Sequence, residues 1–384
     1  MKILIHTLAS PLHDKLSTER AAFEFLGSIQ NHCGSELVNC GSDFSTYGDG
    51  DLSLVYVMTG GTEGLFLEKL PYIKGHVHIL TSGRSNSLAA SMEILSYLQQ
   101  QGRTGEIIHG DPEQIAHRVE VLTRVLSARR SLKGVRLGVI GEPSDWLIAS
   151  APDEVALQQK LGISLVRIPI AELIAKLEGI SRDSQKGAEE IYRALKEMVA
   201  QYNLQGVTLR CFDLLGPICN TGCLALAKLN AEGIPASCEG DIPALVTMVV
   251  GNALTGQCGF QANPARIDPA AGEYLFAHCT VPLNMVRSYE YDTHFESGLG
   301  VAIRGVLPEG NATIFKVAGD LSHYFACPAQ LLRNQAEPGL CRTQVVLRAD
   351  GCAEYFLRGP IGNHHIIFCG DYAEVFKEFM EKIR

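Results

Sequence analysis

Apolar and polar positions alternate in two rhythms along the first two thirds of the chain. Short apolar runs, KILIHTL, LSLVYVM and HVHIL, are each followed by a polar or Gly-bearing turn and then a helical pattern. TERAAFEFLGSIQ and SNSLAASMEILSYLQQ keep a 3.6-residue period, which predicts amphipathic helices. Strands alternating with helices predict a parallel sheet wrapped by helices. A helix over roughly 112–132 closes this region.

A second alternating run follows with no linker. VRLGVIG, ISLVRIP, VTLRCF and IPASC read as strands, and PDEVALQQKLG, 186–202, ICNTGCLALAKLN and IPALVTMVVGNAL as helices. The last helix is apolar on nearly every face, which predicts central burial. Beyond about 270 the period shortens. YLFAHCTV, LGVAIRGVL, ATIFKVAG, TQVVLRA and CAEYFLRG read as strands, and helix returns only in DYAEVFKEFMEKI. The expected fold is two doubly wound, Rossmann-like α/β domains over 1–132 and 133–270. An antiparallel, barrel-like β-rich domain over 271–384 follows them.

Composition narrows the function classes. With 46% hydrophobic and 20% charged residues over 384 positions, the chain has globular proportions. The formal charge is -9, with 42 acids against 33 bases and no Lys/Arg block, which argues against nucleic acid. No apolar stretch reaches the roughly 18 residues of a membrane span, and the first run reads as a buried strand rather than a leader. The twelve cysteines include no C-x-x-C pair, so neither a zinc nor a disulfide framework is expected. Buried thiols in a reducing cytoplasm are the expectation.

The most informative segment is Ala-Ser-Cys-Glu-Gly-Asp-Ile-Pro over 236–243. A strand ends at Cys238 and a helix begins at Ile242-Pro243, so Asp241 is accounted for as a helix cap. Glu239 is not needed for capping. It sits at the carboxyl end of a strand, where open α/β sheets place ligand crevices. Gly362-Asn363-His364-His365 holds tandem histidines, of which one faces any given side. His278 stands alone in an apolar strand, where a hydrogen-bonded core role competes with a ligand role. Thr59-Gly-Gly-Thr-Glu-Gly lacks both G-x-G-x-x-G and the Walker spacing. Trp146, the only tryptophan, could stack on a sugar face or simply pack.

TLRCFDLL, CLALAKLNAEGIPASCEGDIPAL, FQANPARID, LFAHCTVP, HFESGLG, LCRTQ and GNHH occur in that order. Together they resemble the L-fucose isomerase/L-arabinose isomerase family, particularly its shorter fucose isomerase-like members. The resemblance is strong over about 205–370 and weaker over the front. It implies aldose–ketose isomerisation of a small-molecule sugar with Mn²⁺ (or Mg²⁺) in a homo-oligomer. Glu239 matches the family glutamate that binds metal and acts as base. His364 best matches the late metal histidine, with His365 and His278 as alternatives.

One departure stands out. The second acidic ligand of the family falls near Gln261 or Asn263, both neutral, and Asp268 is the acid nearest in sequence. The resemblance therefore leaves Glu239 and Asp268 as catalytic candidates. Asn263, Gln261, His278, Arg342 and Trp146 are the expected substrate-binding group.

Overall fold

The computed structural model describes residues 1–383, which divide into two compact units, the first over 1–127 and the second from 128 onward. The first unit is built on a parallel sheet of β1 (Lys2–Leu8), β2 (Glu36–Gly41), β3 (Leu52–Val57), β4 (Val77–Thr81) and β5 (Gly105–Ile108). Their spatial order is β2-β1-β3-β4-β5, a doubly wound arrangement. Side chains alternate across it: Ile3, Ile5 and Leu54 pack into one core, and Leu8, Val55 and Val57 into the other. Helices Lys15–Gln30 and Ser87–Gln100 belong to this unit. The helix expected near 112–132 spans Pro112–Ser131.

The second unit contains a parallel sheet of β6 (Arg136–Ile140), β7 (Ser164–Ile168), β8 (Gly206–Leu209) and β9 (Ala236–Cys238), in the order β7-β6-β8-β9. It also contains a closed antiparallel barrel. β10 (Phe260–Asp268) and β11 (Glu273–His278) open it. The pair β12 (Ser288–Asp292) and β13 (Ala302–Val306) forms a separate ribbon. β14 (Gly310–Val317), β15 (Tyr324–Gln335), β16 (Thr343–Arg348) and β17 (His365–Cys369) complete the ring β10-β11-β16-β15-β14-β17. The α/β layers and closing barrel are those the residue pattern predicts. The barrel's first strand starts at Phe260, inside the range expected for the middle domain.

The apolar helix Ile242–Thr255 packs against β8 and β9 on one side and β14 and β17 on the other, which is why nearly every face is apolar. At Gly251 an added Cβ would lie 2.1 Å from Phe368 Cζ, so the helix meets β17 at a distance only glycine allows.

Three local expectations change. CAEYFLRG is not a strand; Ala353–Arg358 form a helix of under two turns, too short for its period to show in sequence. The long strand β15 was not expected because Pro328 interrupts its apolar run. Pro328 lies where β15 has run past its last β16 pair, Gln330 with Arg348, so its missing N–H costs no bond on that side. Cys327 and Cys352 form a disulfide, against the expectation of thiols throughout. The barrel brings them together from 25 positions apart, which spacing alone does not encode. No helix among the described residues is long and apolar enough to cross a membrane.

Candidate active site

The turn from β9 into the helix Ile242–Thr255 carries the central acid. Glu239 has φ +66°, a left-handed backbone that costs an L-residue about 1–2 kcal/mol. Its carbonyl accepts from Ser144 N–H at 2.9 Å, and the next amide, Gly240, donates to the Leu209 carbonyl at 3.1 Å. Gly240 is itself at φ +71°, and a Cβ there would lie 2.7 Å from the Glu142 carbonyl oxygen. Cys238 N–H donates to Gln261 Oε1 at 2.8 Å, tying the turn to β10.

Two histidines converge on Glu239 from the barrel rim. His278 Nε2 lies 3.8 Å and His364 Nε2 3.4 Å from Glu239 Oε1. Each ring is oriented through its other nitrogen. His278 Nδ1 pairs with Thr280 Oγ1 at 2.9 Å, and His364 Nδ1 with Asp241 Oδ2 at 2.8 Å. Trp146 Nε1 donates to the second carboxylate oxygen, Oε2, at 2.7 Å. Trp146 is 53% exposed. It meets Phe212 edge-on at 4.9 Å, and Phe212 meets His294 at 5.3 Å, forming an aromatic wall.

Burial opposes charge here, and the partners reverse its effect. Burial alone would raise the Glu239 carboxyl, but His278 and His364 hold it well below the usual carboxylate range. Burial would lower the His364 imidazole, yet Asp241 and Glu239 push it up to about 9. Asp241 is fully buried and is lowered against its burial by Lys316 and His364. Lys316 Nζ lies 3.8 Å from Asp241 Oδ2, and burial lowers its ammonium.

Glu239 Oε1, His278 Nε2 and His364 Nε2 lie within 4.8 Å of one another. His364 Nε2 is buried without a hydrogen-bond partner, which is what a ligand atom facing an ion-sized gap leaves. One carboxylate and two imidazoles fit a divalent transition ion such as Mn²⁺ better than Mg²⁺, which favours oxygen throughout. Asp241 behind His364 stands where a carboxylate would orient a metal-bound histidine.

Among the expected site residues, Glu239, His278, His364 and Trp146 come together. His365 faces the other way: its Nε2 pairs with Tyr355 at 2.8 Å and its ring packs against Phe356, where burial pushes it down to about 3. Gln261 accepts from the turn's backbone through Oε1, and its Nε2 is buried with no hydrogen-bond partner. Asn263 Oδ1 accepts from Asn363 Nδ2 at 3.1 Å, next to His364 in sequence. Arg342 donates to the carbonyl of Thr293, beside His294 in sequence, at 2.8 Å and lies 3.5 Å from Asp292. Asp268 is not brought to the group. It accepts from the Ala270 and Ala271 amides in the β10–β11 turn, at the last residue of β10 and away from Asn263 in its middle.

Sequence reasoning missed the second role of Asp241, the aromatic pair Phe212 and His294, and Lys316. Lys316 did leave a signal, as a lone cation inside the apolar run ATIFKVAG. A cavity of 710 Å³ in this unit borders Lys316 and Pro243, and Glu239, His278 and His364 are not among its lining residues.

The fold and this group define an α/β protein with a carboxylate–imidazole centre at the end of a parallel strand. No protein-family model matches the chain. It is similar to sulfoquinovose isomerases. Identity to that of Priestia aryabhattai is 22% over 264 residues, covering 61% of this chain and 59% of the relative. To that of Clostridium sp. (strain MSTE9) it is 23% over 266 residues, covering 61% and 59%. The match thus spans about three fifths of the length of these curated relatives.

Proposed function

We propose that the chain is a sugar aldose–ketose isomerase whose base is Glu239. The observation that carries this reading is a carboxylate with one oxygen facing two oriented imidazoles and the other held by an exposed indole. The likeness to sulfoquinovose isomerases supports it, and suggests a hexose, including one with an anionic group at C6, as the substrate class.

Moving a carbonyl from C1 to C2 needs one carbon-bound proton to leave and return. Glu239 takes the proton from C2, and the released pair forms the C1=C2 bond of an enediol as the C1 oxygen takes a proton from solvent and becomes a hydroxyl. O2 then gives its proton back to solvent, the carbonyl forms at C2, and the C1=C2 pair takes the proton that the carboxyl returns to C1. Trp146 fixes the carboxylate and offers its face to the sugar's C–H side. His364 is held in one orientation by Asp241, and His278 by Thr280. A divalent ion held by Glu239, His278 and His364 would stabilise charge on the two reacting oxygens. Self-association belongs to the same proposal and is read by sedimentation velocity.

A second reading has its own observation. Neither the neutral Asn263 nor the remote Asp268 places a second carboxylate beside Glu239, as in a sugar-binding protein without turnover. Incubation in D₂O with a panel of aldoses and ketoses, sulfoquinovose among them, with and without Mn²⁺, separates the two. Deuterium at C1 or C2 that is lost in Glu239→Gln supports the isomerase. Sugar binding with no exchange supports the binding protein.

A further inference from the structure

We propose a second, structural metal site in the first unit, formed by His76, His78 and Glu106 and suited to Zn²⁺. It goes beyond the isomerase reading and does not depend on it. His78 on β4 stands opposite Glu106 on β5 in the parallel register, and His76 lies two positions earlier on the same face. Glu106 Oε1 lies 3.5 Å from His78 Nε2 and 3.7 Å from His76 Nε2. Zinc bonds of 2.0–2.2 Å to imidazole and carboxylate place tetrahedral neighbours roughly 3.4 Å apart, close to both separations.

The atoms around the three donors are arranged as a metal's supports are. His76 Nδ1 is taken by Thr104 Oγ1 at 3.0 Å, which turns Nε2 toward Glu106. Arg118, from the helix Pro112–Ser131, donates to Glu106 Oε2 through Nε at 2.9 Å and Nη2 at 2.7 Å. That clamp directs Oε1 to the imidazoles as a single-oxygen donor. His76 Nε2 and Glu106 Oε1 are both buried with no hydrogen-bond partner. A simple Glu–His ion pair would close up to satisfy these two atoms. His76 is one-third exposed in its side chain, so water can supply a fourth ligand.

The location fixes the role. The donors lie at the amino-terminal starts of β4 and β5, away from the carboxyl ends where such sheets bind substrates. β5 is the sheet's edge strand, and an ion here would tie it to β4.

Zinc binding by the full chain, measured by equilibrium dialysis, tests the site against His76→Asn, His76→Cys and Glu239→Gln. His76→Asn should bind one equivalent less at concentrations that saturate the wild type, with affinity there weakened at least about 100-fold. His76→Cys should keep that equivalent. Glu239→Gln should keep it too, which separates this site from the isomerase centre. Zn²⁺ should also slow amide exchange over Gly105–Ile108 in the wild type and not in His76→Asn. A folded His76→Asn that binds as much zinc as tightly as the wild type would overturn the proposal. So would unchanged exchange in β5 on adding zinc.

Discussion

Asp241 divides its two carboxylate oxygens between two tasks. Oδ1 accepts the Ala244 amide at 2.8 Å and caps the buried helix, while Oδ2 orients His364 and faces Lys316. Asp241→Asn keeps the cap but leaves the buried Lys316 without a counter-charge. It should destabilise the protein by about 3 kcal/mol in urea denaturation. Adding Lys316→Met should recover most of that loss, because a buried pair replaced by neutral groups is close to neutral in stability. The double variant should still turn over slowly, since His364 has lost its anionic partner. Tyr47 offers a pH prediction away from the site. Burial raises its phenol from 10.0 to about 12, so the unfolded chain ionises first. The contribution is intact below pH 10 and is lost as pH rises from 10 toward 12, by about 2 kcal/mol after screening. Tyr47→Phe should remove that alkaline decline, checked by urea midpoints across the window.

At the scale of elements, the helix Ile242–Thr255 and β17 depend on glycine at their closest point. Replacing glycine by alanine inside a helix ordinarily stabilises it by about 1 kcal/mol. Gly251→Ala should do the reverse, lowering stability by about 1–3 kcal/mol, because the methyl would enter the Phe368 ring. Thermal denaturation gives the sign directly. Long elements, such as this helix and Pro112–Ser131, were legible in sequence, this helix because it is one long run apolar on nearly every face and the other through its length and its Asp-Pro start. β15 and Ala353–Arg358 were not, one because a proline breaks its pattern and the other because it is so short. The site divided in the same way. Glu239 and His364 stood out through motif order, but the choice between His364 and His365 needed the strand that turns them to opposite sides. His76 and His78 passed as part of an apolar strand, since their partner Glu106 is brought alongside only by sheet pairing.

At the scale of the whole molecule, two compact units each carry a parallel sheet, and the second adds the barrel whose rim holds two of the three central donors. An ion bound there stabilises only the state that assembles the rim. At one hundred times its dissociation constant Mn²⁺ should add about 2.7 kcal/mol. Calorimetry should show a heat transition moved upward by Mn²⁺ and returned by a chelator, with no movement in a variant carrying both Glu239→Gln and His364→Gln. The backbone at Glu239 has a further consequence for anyone engineering heat resistance. Glycine at this position would relax the left-handed turn at the expense of the central carboxylate. A library screened for survival at high temperature alone would therefore drift toward inactive winners, so selection must be coupled to turnover from the first round.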